Sequence, residues 1–206
     1  MADLNPQNAS PFSRLYNMAS DTAKLKMQVY YDRMTQHFLS VKQVSPQEAV
    51  RNLHMEMDEK IKTQLAQKGA KPISCTKGCS FCCYLHIVIA KSEAELLAKH
   101  VTPEMIPALQ FQAKAETYEQ WNKIQPHKKK QCVFLKDGEC SIYNDRPSSC
   151  RKYMVVTKPR LCNVEFKINK VLIQASAEAE ILAGVIQTQD GEGSMAKMLL
   201  ELVTHG

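Results

Sequence analysis

Four thiols fall within nine positions, in the run Cys75-Thr-Lys-Gly-Cys79-Ser-Phe-Cys82-Cys83, and four more stand at Cys132, Cys140, Cys150 and Cys162. Sulfur grouped this tightly makes disulfides, holds a metal or does redox chemistry. Thiolates are soft ligands; zinc takes four in a tetrahedron, and iron–sulfur clusters also take four. The loop Cys75-x3-Cys79-x2-Cys82 can wrap one centre, because Gly78 lets the backbone turn tightly. Closing three ligands from one loop costs little chain entropy. A distant fourth ligand then clips the fold. Cys150, at the start of a short helix whose N-terminus favours a thiolate, is placed to supply it. Cys83, Cys132, Cys140 and Cys162 could complete a second four-cysteine centre; Cys132 and Cys140 could instead be buried core thiols. The expected metal ligands are Cys75, Cys79, Cys82, Cys83, Cys132, Cys140 and Cys150, with Cys162 ranked last of the eight. One dense loop with scattered partners leans towards an iron–sulfur cluster, since structural zinc usually sits between two short Cys-x2–4-Cys knuckles. Zinc stays open.

Disulfides are disfavoured on two grounds. The opening Met-Ala-Asp-Leu-Asn-Pro has no basic patch ahead of an apolar core, so no secretory signal is expected. The expected compartment is the reducing cytoplasm, where structural disulfides are rare. Neighbouring Cα atoms lie about 3.8 Å apart across a trans peptide, and a disulfide usually wants about 4.4 Å or more. Cys82 and Cys83 therefore make a poor pair. The strongest apolar run, Ile87 to Ala90, is far short of the roughly 20 residues that a membrane-spanning helix needs.

The net charge of +6 is only mildly basic and comes partly from His127-Lys-Lys-Lys130. That run reads as a solvated loop; a nucleic-acid surface would carry interleaved aromatics and a larger excess. Four thiolates around a doubly charged centre leave a surplus of about two negative charges. Lys77, Arg146, Arg151 and Lys152 stand beside the cysteines in sequence and can offset it.

The elements around the cysteines read as mainly α. Residues 1–11 form a loose lead-in. Phe12 to about Ser40 contains neither Gly nor Pro, and Leu15, Met18, Leu25 and Val29 share one helical face. Ser45-Pro46-Gln47-Glu48 is a capping box opening a helix with Val50, Leu53, Met57, Ile61 and Leu65 inward, stopped at Gly69. Tyr84 to Ala90 is a short strand or the start of a buried helix. Ser92-Glu-Ala-Glu95 opens a short helix to about His100, and Thr102-Pro103 another to about Ile124. Asp137-Gly138 between apolar flanks predicts a hairpin over 132–143. Asp145 to Arg151 turns into a short helix. A long helix is expected from Val164 to Ile186, ended by Asp190-Gly-Glu-Gly193, and a last one from Met195 to Val203. The organisation is then a helical region over 1–69, a cysteine-cluster region over 70–162 and C-terminal helices over 163–206, together one compact domain. The cysteine segments are irregular and lie between well-capped helices, where a metal would do the ordering.

Taken together, the run Cys75-x3-Cys79-x2-Cys82-Cys83, Cys132-x-Phe-Leu and Cys140-x-Ile-Tyr143-x-x-Arg146-Pro147-x-x-Cys150-Arg151 resembles the YkgJ-type cysteine-cluster family of zinc- or iron-chelating proteins. The resemblance covers about residues 75–153 and implies a bound metal, without a reaction. Bacterial flagellin lysine methylases carry a similar cluster associated with an iron–sulfur centre. That resemblance implies the alternative of an iron–sulfur enzyme for protein methylation or redox chemistry. The Cys-x3-Cys-x2-Cys spacing with Phe81 also matches radical S-adenosylmethionine enzymes, but the chain beyond Cys82 reads as helices rather than alternating strands and helices. The expected function is a metal-binding module with a mainly structural centre that presents helices to a protein partner. His86 is the only histidine near the cluster and reads as a packed core residue. Trp121 and Tyr118 read as core, and Met18, Met57 and Met105 as apolar helix faces.

Overall fold

The structure is a computed structural model and describes residues 16–76, 78–163, 173 and 176–205. Helix α1 spans Asp21–Lys42 and is capped by Ser20, whose side chain accepts from the amide of Ala23 at 3.3 Å. Helix α2, Pro46–Leu65, starts at Ser45, whose hydroxyl accepts from Glu48 N at 3.3 Å, with Pro46 in the first turn where its missing N–H is harmless. Its apolar spacing is used as the sequence implies: Val50, Leu53, Met57 and Ile61 are all buried. Gly69 beyond it takes φ +88°.

The face of α1 is a different one from that expected. Met18, Leu25 and Val29 are 87%, 65% and 60% exposed, whereas Phe38 is fully buried and Tyr30, Tyr31, Met34 and Val41 pack behind it. The inward stripe runs through the aromatic half of the helix, and the C-terminal partner that selects it is not legible in the local pattern. Leu15 lies outside the described residues.

That partner is helix α7, Ala177–Asp190, capped by Ser176. Phe38, Leu53, Met57, Leu182 and Ile186 meet in one core between α1, α2 and α7. The long helix expected from Val164 is corrected. Ile173 forms an antiparallel bridge with Val155 and Ser176 caps at 176, so the helix starts at Ala177; residues 164–172 lie outside the description.

A second core holds the other half. Strand β1, Val88–Ala90, leads into helix α3, Lys91–Ala98. Ser92 is buried inside α3 rather than capping it, and Glu93 instead accepts from Ala90 N at 3.1 Å. The single helix expected over 102–124 is broken. A 3-10 turn over Pro103–Met105 precedes helix α4, Ile106–Gln112, and helix α5, Tyr118–Asn122, starts afresh at a Thr117/Gln120 capping box. That box, in which Thr117 Oγ1 takes Gln120 N and Gln120 Oε1 takes Thr117 N, is the local device that restarts the chain.

The hairpin is as expected: strand β2, Leu135–Lys136, pairs with strand β3, Glu139–Cys140, around Asp137 and Gly138 at φ 51° and 80°. Helix α6 is the four-residue turn Ser148–Arg151. Strand β4, Glu192–Ser194, pairs antiparallel with β1, Ile89 facing Gly193, and feeds helix α8, Met195–His205. Ile89, Leu97, Leu109, Phe134 and Leu199 make the second core between α3, α4 and α8. The segment Tyr84 to Ala90 thus resolves as the end of a 3-10 turn, then irregular chain, then a strand. Among the described residues, no helix is long and apolar enough to cross a membrane.

Candidate metal centre

The cysteine segments lie along the seam of these two cores. Ile73 and Met154 pack into the first, while Cys132 and Cys140 pack against the second. Backbone hydrogen bonds tie the segments to one another. Ser74 N donates to Val155 O at 2.7 Å, and Cys132 N donates to Cys83 O at 2.8 Å. A 3-10 turn over Phe81–Tyr84 carries Cys82 and Cys83, and a second, Pro159–Cys162, packs on it and brings up Cys162.

All eight cysteines are free thiols. Six of them gather around Cys82, which is close enough to raise the pKa of Cys75, Cys83, Cys132, Cys140, Cys150 and Cys162. The thiol neighbourhoods overlap at Cys82. Cys162 has Cys75, Cys79 and Cys82 as electrostatic neighbours. Cys150 has Cys132, Cys82 and Cys140, and Cys83 has Cys82, Cys132 and Cys150. Cys162, ranked last from sequence, therefore stands with the dense loop, and Cys150 stands with the hairpin. Among the described residues, no three Cys, His, Asp or Glu side chains are already arranged to hold a metal ion.

Burial governs these thiols. It pushes Cys132 up to about 12 and Cys162 up to about 11, and drives Cys150 well above its ordinary value, with Cys132, Cys82 and Cys140 adding to the effect. Without a metal, desolvation dominates at Cys150, whose helix is a single turn. Cys82 moves the other way, because the thiol of Cys83 donates to it; the same bond raises Cys83.

Backbone amides act on the sulfurs. Val155 N donates to Cys75 Sγ at 3.4 Å. The backbone of Phe134 lowers the pKa of Cys132, that of Ile142 lowers Cys140, and that of Cys82 lowers its own thiol. Such an amide, turned onto the sulfur, favours the thiolate and orients it.

Of the cations expected to balance the sulfur, Arg146 faces it. Arg146 lowers the pKa of Cys75, Cys82 and Cys140, and it stacks on the Tyr143 ring at 3.8 Å. Lys152 pairs instead with Glu180 at 2.6 Å. Arg151 is buried and used to tie the chain: it donates to Asp58 at 2.5 Å, to Arg146 O at 2.8 Å and to Asn144 O. Lys77 lies outside the described residues. The basic run at 127–130 is more integrated than a solvated loop. Lys130 is buried and donates to Asn122 O at 3.3 Å, His127 stacks on Tyr84, and Lys129 sits over Phe111.

His86 packs at 5.5 Å from Trp121, a buried residue whose indole donates to Tyr84 O at 3.0 Å. Tyr118, expected in the core, is 58% exposed because α5 restarts at Thr117 and turns it outward. Met57 and Met105 are buried, but Met18 is not. Tyr153 carries no signal in the sequence; burial and then Cys162, Cys82 and Cys75 raise its hydroxyl to about 12, which places it against the dense loop. An open groove of about 910 Å³ passes the hairpin, with Cys140, His100 and Asp145 in its wall; His100 Nε2 lies 2.7 Å from Asp145 Oδ2.

Fold and site together define a mainly helical protein built around a cysteine cluster, whose soft donors, amide-capped sulfurs and facing guanidinium fit a thiolate-bound zinc or iron. Residues 74–175 match the model of the CxxCxxCC family, described as a "putative zinc- or iron-chelating domain". Comparison with curated proteins and with solved structures gives no match.

Proposed function

We propose that this protein holds zinc or iron through its cysteines and that the centre is mainly structural. The observation that carries this is the gathering of six free thiols, from five separated stretches, around Cys82. In this reading Cys75, Cys79 and Cys82 share one metal with Cys162, while Cys83, Cys132, Cys140 and Cys150 share another. The metal supplies the positive charge that buried thiolates require. The chain's own residues orient the sulfurs through Val155, Phe134 and Ile142 amides, and Arg146 offsets the remaining negative charge.

An iron–sulfur enzyme is the competing reading, and one observation favours it: Cys140 lines an open groove. A structural centre is closed, whereas a reactive one keeps a position open. The test is metal and sulfide analysis of protein isolated without air, with its visible spectrum. Brown protein containing iron and sulfide supports a cluster, and colourless protein with two zinc ions per chain supports two closed tetrahedral sites. Protein with reduced thiols and neither metal refutes the proposal.

A further inference from the structure

Beneath α6 lies a polar knot that the metal-binding reading does not use. Glu93, His54 and Ser148 are 1%, 2% and 0% exposed, so no substrate reaches them. Glu93 Oε1 accepts from Ser148 N at 2.7 Å, from Ser148 Oγ at 2.5 Å and from His54 Nε2 at 2.9 Å. Its other oxygen accepts from Ala90 N at 3.1 Å. One carboxylate thus joins α2, β1 and the first residue of α6. The other end of α6 is fixed by Arg151 through Asp58 and the carbonyls of Arg146 and Asn144.

We infer that Glu93 is a positioning residue for Cys150: its carboxylate, fixed by four donors, holds the one-turn helix that presents this thiol to the metal. The inference rests on the proposed function in taking Cys150 as a ligand. A four-residue helix cannot hold its own place, since helix nucleation is unfavourable. Cys150 lies two positions past Ser148, so the carboxylate that grips Ser148 by both its amide and its hydroxyl sets the depth of the sulfur. His54 has its Nε2 engaged at this carboxylate while its buried Nδ1 has no partner. The ring is therefore placed for Glu93 and not for bonds of its own. Burial raises the Glu93 pKa, but the His54 and Ser148 hydrogen bonds outweigh it, and the group stays below its ordinary value. A charged acceptor holds its donors about twice as strongly as a neutral one.

Glu93→Gln puts an amide N–H₂ against one set of these donors. The test uses the full chain loaded with cobalt(II) alone, whose thiolate absorption reports the number of sulfur ligands, and zinc release from the loaded chain to a chelator. Glu93→Gln is compared with Cys150→Ser, with the double variant, and with Leu182→Ala, which loses stability in the other core. Residues that orient metal ligands are worth about 10–100-fold in affinity. Glu93→Gln is expected to weaken zinc retention by about that factor and to lower the thiolate band as Cys150→Ser does. The double variant should be no worse than Cys150→Ser alone. If Glu93→Gln does not fold, Ser148→Ala, which removes one donor, decides by a smaller change of the same kind. A thiolate band and release rate like those of Leu182→Ala, beside a clear loss in Cys150→Ser, overturn the inference. So does an additive double variant. Full metal binding by Cys150→Ser strikes at the ligand assignment itself, and the role of Glu93 falls with it.

Discussion

Removing the metal is expected to loosen the dense cysteine loop selectively. Between Ile61 and Ile89 no described residue is fully shielded from solvent, and the stretch reaches the cores only through partly buried side chains such as Leu65, Ile73 and Ile87. Its long-range hydrogen bonds are few: Ser74 N reaches Val155 O, Val155 N reaches Cys75 Sγ, Cys132 N reaches Cys83 O and the Trp121 indole reaches Tyr84 O, while Cys79 N, Cys83 N and Leu85 N close only local turns onto Thr76, Ser80 and Cys82. Helices α2 and α7 are different, because Leu53, Met57, Leu182 and Ile186 are buried against one another. A ligand that binds only the ordered state stabilises it by about 2.7 kcal/mol at 100 times its Kd and about 4.1 kcal/mol at 1,000 times. Those figures correspond to roughly 100-fold and 1,000-fold suppression of opening. Hydrogen exchange read by mass spectrometry on zinc-loaded and stripped protein measures this directly. Peptides covering Ser74 to Leu85 should exchange at least about 100-fold faster when stripped, while those covering Leu53 and Leu182 change little. A uniform acceleration through α2 and α7 would mean that the metal holds the whole fold. No change in the loop would mean that it holds nothing there.

Two more outcomes rest on named contacts. Leu182→Ala empties a fully buried site between α1, α2 and α7; it should cost about 2–5 kcal/mol in denaturant melts, with metal content unchanged, and metal loss in step with stability would contradict the separation of core and centre. Cys162→Ser should remove the same metal as Cys75→Ser, about half the total by elemental analysis; full retention would return Cys162 to the status of a packed thiol.

The fold was legible where a short-range device decides it. The Ser45-Pro46 start, the Asp137-Gly138 turn and the turn into Ser148–Arg151 each rest on two or three adjacent residues, and each is present. It was illegible where a distant partner decides. The inward face of α1 is chosen by α7, and β1 exists because Gly193 faces Ile89 across the pair. The mainly helical class with a small hairpin and an irregular cysteine region was correct. The cysteines announced the site, but their grouping does not track their spacing. Cys162 reaches the dense loop because a 3-10 turn packs on Phe81–Tyr84, and sequence distance carries no sign of that. Glu93, His54 and Ser148 lie far apart in the chain, and nothing local marks them as partners.

Charge explains why such a cluster is built for a metal rather than as a nest of core thiols. A buried thiol is inert and content as a small apolar group. Here burial raises Cys75, Cys132, Cys140, Cys150 and Cys162, and each is also raised by sulfur neighbours. Apolar packing alone has no use for the amides of Val155, Phe134 and Ile142 turned onto sulfur, or for a guanidinium facing it. Those groups stabilise the thiolate form, which desolvation opposes. Only a cation among the sulfurs lets both influences act together, since it deprotonates the thiols outright and makes their burial favourable. Arg146 brings one positive charge to a cluster in which a four-thiolate zinc centre would carry a surplus of about two negative charges. The rest of the compensation must therefore come from the metal and from amide dipoles, which is why the loop that carries Cys75, Cys79, Cys82 and Cys83 is the segment whose order should depend most on loading.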